Sequence, residues 1–299
     1  MPPRPTPWLC VASFLVLSSA ARLPAQQDTT FAPSPHVRAN DLGVRRDSLL
    51  AGLGATLARL DSLEAVLRPE LPPGTGSSVP SAFGLSRGRV GFGIGLQERT
   101  RYSHRADGTL TLLMGLGDPS LLGVDVGVSI LDLRKDEDGN GGFGRRGSFR
   151  LKLHRRIPGG AVALGVDNVL RWGDSDTPGS VYGVAAGSWD LTGPRDGHRG
   201  EAYLSLGAGT GRFRPEDDVR DDRKTVGVLA NGVLRVHERV NLFVEWTGQD
   251  LGVGASFVPL RSLPLVLAPT FADLTGSAGD GARFVVSVGY LLPFQNFLP

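Results

Sequence analysis

From about residue 87 onward, hydrophobic and polar residues alternate one by one along the chain. Val124, Val126 and Val128, for example, are separated by Asp125 and Gly127. A period of two residues places successive side chains on opposite faces of a β-strand. The alternation predicts strands with one apolar and one polar face over these stretches: 87–97, 108–117, 123–133, 147–157, 160–172, 180–191, 200–213, 224–237, 240–247, 249–260, 263–274 and 281–294.

The connections between these stretches alternate in length. Most gaps after odd-numbered strands are long and polar, such as 134–146 and 214–223, and most gaps after even-numbered strands are short, such as 158–159 and 238–239. Long loops at one end and short turns at the other are typical of transmembrane barrels. We therefore predict an all-β fold for residues 81–299, an antiparallel up-and-down transmembrane β-barrel of about 12 strands.

The first residues carry the pattern of an export signal. Arg4 is followed by an apolar stretch over 8–17 and then by small residues. That order indicates a signal peptide over 1–25, with cleavage after Ala20 or Ala25. The apolar stretch is too short to span a bilayer, so a membrane anchor is the less favoured interpretation.

A periplasmic lead over 26–80 is predicted between the signal peptide and the barrel. Leucines at three- and four-residue spacings predict an amphipathic helix over 49–68, which Asp47 or Ser48 would cap. This helix either packs alone or serves oligomerisation. Residues 74–81, rich in Gly and Ser, are expected to form a linker.

Composition narrows the chemistry that the barrel can perform. The net charge is +2 with no basic block, which argues against a nucleic-acid partner. The single cysteine, Cys10, lies in the predicted signal peptide, so the predicted mature chain has no thiol. His104, His154 and His198 have no Gly-x-Ser-x-Gly motif beside them, which argues against the alternative of a hydrolase. No cofactor is expected.

The last strand carries a further pattern, in which apolar residues alternate and lead to an aromatic residue. Its members are Phe284, Val286, Val288, Tyr290, Leu292 and Phe294. Together with the signal peptide and the loop asymmetry, this pattern resembles the bacterial outer-membrane β-barrel superfamily, to which porins belong, over residues 87–294. The resemblance concerns architecture. It implies an outer-membrane location reached through the periplasm, and it implies lipid, lipopolysaccharide and the barrel-assembly machinery as partners.

One loop contains a candidate metal site. Asp136, Asp138 and Asn140 have the spacing of the first half of a calcium loop, and their oxygens are the hard ligands that Ca²⁺ prefers. The acid expected at the twelfth position is replaced by Gly147. A solvated loop without metal is therefore the competing interpretation.

The polar faces of the strands predict which charged side chains point into the barrel. These are Asp125, Arg150, Lys152, His154, Asp167, Arg235, Glu245, Asp250, Asp273 and Arg283. Charges away from bulk water require either a wet channel or ion pairs that fill the interior.

Three functions are compatible with these patterns. The first is a narrow passive pore for small polar solutes. The second is a structural or adhesive barrel with a plugged lumen, whose loops at 134–146 and 214–223 bind a partner. The third is a secreted soluble β-sandwich, which explains the alternation but not the loop asymmetry. A homo-oligomer is compatible with the first two.

Overall fold

The computed structural model describes residues 46–57, 71–101, 105–131, 133–134, 142–173, 177–191 and 200–293. The chain divides into two compact units, with the boundary after Leu57. The predicted signal peptide and its two cleavage positions lie outside the described residues. Within these residues, no helix combines the length and the apolar character that crossing a bilayer requires.

The described part of the first unit is a helix over residues 46–57, α1. The described helix includes Asp47 and Ser48, which were predicted to precede it as caps. The rest of the predicted helix, residues 58–68, lies outside the described part of the chain.

The second unit contains twelve strands that close into an antiparallel barrel. The strands are β1 (Arg89–Gln97), β2 (Asp107–Asp118), β3 (Leu122–Ile130), β4 (Gly147–Ile157), β5 (Gly160–Trp172), β6 (Ser180–Asp190), β7 (Glu201–Gly209), β8 (Gly227–His237), β9 (Val240–Trp246), β10 (Leu251–Phe257), β11 (Leu265–Ala272) and β12 (Arg283–Pro293). Each predicted stretch contains one of these strands or nearly coincides with it. The predicted fold class is confirmed.

Closure of the barrel depends on the first and last strands. Phe92 of β1 pairs with Leu112 of β2 on one side and with Tyr290 of β12 on the other. Every one of the twelve described strands therefore has a neighbour on both sides, so the sheet they form has no edge strand.

Side chains alternate between the two surfaces of the barrel, as the two-residue period requires. In β4, Leu151 and Leu153 are exposed on the outside, whereas His154 is buried inside and Lys152 is partly buried there. The alternation is interrupted in β5, where Asn168 and Leu170 have positive φ angles of 56° and 46°. The pairing of β4 with β5 shifts at the same place, so this segment is a bulge.

The two ends of the barrel differ in their connections. We call the end with the connections after odd-numbered strands the loop end, and the opposite end the turn end. Residues 210–226 at the loop end contain a 3₁₀ turn, Gly211–Phe213, and a short helix, α2 (Glu216–Arg220). At the turn end, β4 and β5 are joined by Pro158 and Gly159 alone.

Candidate functional site

The interior of the barrel is occupied by a segment of the same chain. Residues 71–86, which we call the luminal hairpin, include the stretch predicted as a linker. The segment enters at the turn end near Arg235, reaches Glu245 close to the loop end, and returns to β1. A free linker is not what the structure shows, because the polar groups of this segment bind the barrel wall.

The two limbs of the luminal hairpin contact each other. The Ser81 hydroxyl donates to the Pro73 carbonyl at 3.4 Å. The ring of Phe83 lies against Gly74, where an added Cβ would be 3.5 Å from it. The hairpin therefore has internal contacts as well as contacts with the wall.

The tip of the hairpin binds a buried carboxylate. Backbone N–H groups of Ser77, Ser78 and Val79 donate to the Glu245 carboxylate at 3.0–3.3 Å. Glu245 is only 2% exposed. A buried carboxylate needs several donors to offset its lost hydration, and here backbone amides supply them.

The returning limb binds a charged cluster on β3 and β4. The Lys152 ammonium donates to the Phe83 carbonyl at 2.9 Å and lies 3.0 Å from Asp125. Asp125 accepts the N–H of Leu85 at 3.0 Å and lies 3.2 Å from Nε2 of His154. Wall charges therefore bind each other and the hairpin backbone at once.

The entering limb binds β8. Asn231 donates to the Gly74 carbonyl at 3.0 Å, and Arg235 donates to the Leu71 carbonyl at 3.0 Å. Arg235 also pairs with Glu201 at 2.9 Å. The carbonyls of this limb, like the amides of the tip, are satisfied by the wall.

Two glycines allow the hairpin to approach the wall closely. A Cβ on Gly76 would overlap the Glu245 carboxylate, and a Cβ on Gly84 would overlap the His154 imidazole. Any larger residue at either position has to displace the hairpin or the wall.

One side of the lumen packs against the hairpin through apolar groups. Val79 and Ala82 belong to a buried cluster with wall residues of β5, β6 and β8, including Tyr182 and Leu229. Phe83 packs edge-on against Tyr203 at a centroid distance of 6.0 Å, within a second cluster of wall residues: Tyr203, Val233, Phe243 and Ala268. Apolar packing therefore adds to the hydrogen bonds that hold the hairpin.

Above the hairpin tip, toward the loop end, lies a cavity of about 470 Å³ that we call the vestibule. Ser77 and Ser78 belong to its lining, so the hairpin tip forms one side of it. Its charged lining residues are Arg101, Arg212, Asp250 and Arg283. Its other polar lining residues are mainly hydroxyl and amide side chains, namely Gln97, Thr109, Thr177, Thr247, Gln249 and Ser287.

Loop contacts close over part of this cavity. Arg101 reaches Glu216 of α2 at 3.2 Å and Gln249 at 2.7 Å. Outside the vestibule lining, Arg99 pairs with Asp280 at 2.5 Å. The hydrogen bond and negative charge of Asp280 raise the pKa of the Arg99 guanidinium above its ordinary value.

The ten side chains predicted to face the lumen occupy distinct places in the structure. Five of them surround the luminal hairpin: Asp125, Lys152, His154, Arg235 and Glu245. Arg150 and Asp167 form an ion pair at 3.7 Å, and Asp250 and Arg283 line the vestibule. Asp273 is buried beyond the end of β11, where it accepts the N–H of Ala278.

Three parts of the site were not predicted from the sequence. Arg101 lies in the loop after β1, where no periodicity indicates direction. Arg212 falls in the stretch predicted as a strand, 200–213, but β7 ends at Gly209 and Arg212 lies in the 3₁₀ turn Gly211–Phe213. Arg212 pairs with Asp167 at 3.1 Å and stacks 4.4 Å from the Phe213 ring centre. One feature of the sequence could have indicated that the luminal hairpin is buried: no charged residue occurs between Glu70 and Arg87.

The calcium candidates Asp136, Asp138 and Asn140 lie outside the described residues. Within the described ranges, no group of three or more His, Cys, Asp and Glu side chains has a geometry that could hold a metal ion.

Comparison with known proteins yields little that bears on the site. No protein-family model matches the chain, and no curated protein matches it. Two solved structures of KdgM porin, one of them in complex with disordered oligogalacturonate, align with 68% of this chain and 98% of their own. Identity is 10% and the TM-score is 0.40 in both cases. A likeness this distant says nothing about the residues inside the barrel.

Proposed function

We propose that the chain is an outer-membrane β-barrel that admits small polar solutes through its lumen, and that the luminal hairpin restricts this route. The observation that carries the proposal is the hairpin itself, whose tip lines a polar vestibule at the loop end. Solutes entering at that end reach the hairpin before they reach the turn end.

The outer surface supports the membrane assignment. Exposed apolar side chains occur on strands all around the barrel, among them Ile94, Leu112, Val126, Leu151, Leu164, Val181, Leu206, Val228, Val244 and Phe271. Soluble monomers rarely expose contiguous apolar patches above about 600 Å². Lipid would cover such a wall, because outer-membrane barrels turn their apolar faces outward.

A crosslink between hairpin and wall tests the transport proposal. The hydroxyl oxygens of Ser77 and Ser287 are 3.5 Å apart, so cysteines at these positions are close enough for crosslinking. We would place Ser77→Cys and Ser287→Cys in a full chain that also carries Cys10→Ser. Single-channel currents in planar bilayers would be recorded before and after oxidation.

The expected result is current steps under reducing conditions that disappear on oxidation and return on reduction. The Ser77→Cys single variant is the matched control, and its currents should not respond to oxidation. Currents that persist in the crosslinked protein would show that release of the hairpin tip from the wall is not needed for conduction, which would refute restriction by the hairpin.

A structural barrel with a plugged lumen is the second candidate function. It is favoured by the number of wall groups that bind the hairpin on both limbs, including Asn231 and Lys152. Absence of current in both redox states, and in a variant whose hairpin is displaced, would favour this candidate.

A further inference from the structure

Arg283 at the start of β12 is a buried cation with few partners. Its side chain is 8% exposed, and it lines the vestibule. Nη2 lies 3.5 Å from Oδ2 of Asp250. Nε and Nη1 find no acceptor among the described residues. A buried guanidinium with two unused donors is costly, so an additional acceptor would stabilise it.

Asp250 does not satisfy Arg283 by itself. The same Oδ2 atom also lies 3.8 Å from Arg101, and Oδ1 accepts the Thr247 hydroxyl at 2.5 Å. One carboxylate is therefore shared by two guanidinium groups, both at long distance. The lining of the vestibule itself contains three arginines and one acid.

The other two arginines of the vestibule have closer acidic partners. Arg101 pairs with Glu216 and Arg212 pairs with Asp167, at 3.2 and 3.1 Å. Among the three arginines of this lining, Arg283 thus has the longest distance to its nearest acidic partner, 3.5 Å to Asp250.

We propose that the vestibule binds the oxyanion group of a small solute, a carboxylate or a phosphate, against Arg283. The inference rests on the proposed function in that it assigns a ligand class to the entrance of the same solute route. Guanidinium groups bind both oxyanions through paired N–H donors. The hydroxyl groups of Ser77, Thr109 and Ser287 offer hydrogen bonds to the uncharged part of the solute.

A cation is disfavoured at this place. It would meet Arg101, Arg212 and Arg283, and Asp250 is already engaged by Thr247 and two arginines. A neutral polyol could use the hydroxyl groups but would bring no second negative charge to Arg283, which shares Asp250 with Arg101. The arrangement of charges therefore predicts different affinities for anions, cations and neutral polyols.

The test uses three ligands of equal carbon number: glycerate, glycerol 1-phosphate and glycerol. Binding to the full chain, refolded in detergent micelles, would be measured by saturation-transfer difference NMR. We expect either or both of the anions to bind at least tenfold more tightly than glycerol. Which anion binds more tightly identifies carboxylate or phosphate as the preferred group.

Two substitutions in the vestibule should act in opposite directions. Arg283→Gln should weaken anion binding at least tenfold, and Arg283→Lys less than that, because lysine keeps the charge but not the paired donors. Asp250→Asn should tighten binding severalfold, because it removes the competing carboxylate. Arg99→Gln is the matched control, and it should leave binding unchanged because Arg99 is outside the vestibule lining.

Several results would overturn the proposal. Glycerol binding as tightly as the anions would refute the role of charge, and equal weakening by Arg283→Gln and Asp250→Asn would indicate loss of structure instead of loss of a ligand contact. If circular dichroism shows that Arg283→Gln does not refold, the comparison of the three ligands and the effect of Asp250→Asn on binding still test the proposal. Because binding is measured without current, its failure is distinguishable from failure of the transport proposal.

Discussion

Charged side chains at the two ends of the lumen have partners of different kinds. Toward the turn end, Lys152 and Arg235 donate to backbone carbonyls of the luminal hairpin as well as pairing with acids. Glu245 accepts three backbone amides at the hairpin tip. In the vestibule, by contrast, two guanidinium nitrogens of Arg283 have no acceptor in the part of the chain that the structure describes.

The difference shows that a charged lumen does not by itself imply an open channel. Where the hairpin is present, its backbone dipoles compensate wall charges that otherwise require water. Where the hairpin ends, the same kind of side chain lines a cavity. The boundary between the two regions is the hairpin tip at Ser77 and Ser78.

The largest effect on opening of the luminal hairpin is expected from Gly84→Val, because the added side chain would overlap His154. Overpacking of this kind costs about 3 kcal/mol, enough to raise the open population of the hairpin by about a hundredfold. Amide hydrogen exchange of residues 77–79 measures that population. Gly93→Ala is the control, since its added Cβ meets no atom closer than 4.0 Å. Equal exchange in both variants would contradict the close approach at Gly84.

Glu245→Ala should have the next largest effect, since it leaves the amides of Ser77, Ser78 and Val79 without their acceptor. We expect a loss of about 2 kcal/mol in the free energy of hairpin opening, limited by water that reaches the tip from the vestibule. Glu245→Gln keeps one acceptor oxygen and should lose less. The same exchange measurement compares the two variants, and a larger loss in Gln than in Ala would refute the acceptor role.

Phe83→Ala tests the apolar side of the hairpin. Phe83 is only partly buried, so we expect a loss of about 2 kcal/mol, below the cost for a fully buried phenylalanine. Urea unfolding in lipid vesicles and exchange of Phe83 and its neighbours would separate global from local destabilisation. Leu164→Ala on the outer wall serves as the control, and hairpin exchange should not respond to it.

Ser81→Ala is expected to have the smallest effect. It removes the hydrogen bond between the two limbs, from the Ser81 hydroxyl to the Pro73 carbonyl, and one that the hydroxyl accepts from the Phe83 amide. A loss of about 1 kcal/mol follows from typical hydrogen-bond contributions. Hydrogen exchange unchanged within error would indicate that wall contacts alone hold the limbs together.

Most of the barrel could be predicted because its information is local. Alternation in β3 or β12 indicates which side chains share a face, and this does not depend on contacts with the rest of the chain. The direction of Lys152 or Glu245 follows from the same parity. The bulge in β5 was not predicted, since nothing in the local pattern marks Asn168 and Leu170 as having positive φ angles.

The vestibule could be predicted only in part. Asp250 and Arg283 lie next to strands or within them, so parity indicated their direction. Arg101 lies in a loop, and Arg212 lies in a 3₁₀ turn where the strand predicted over 200–213 has already ended. Their positions depend on contacts with Gln249 and Asp167 that alternation does not encode. The contribution of these two arginines to the vestibule could therefore be identified only from the structure.

The strands, their order and the two faces of the barrel wall follow from the amino-acid pattern alone, because a period of two residues acts between neighbours in the chain. What occupies the lumen depends instead on contacts between residues far apart in the chain. Ser77 and Glu245, which meet at the hairpin tip, are 168 residues apart. A stretch of small, uncharged residues has the composition of a linker until a closed wall supplies its hydrogen-bond partners, and those partners exist only after the barrel has formed.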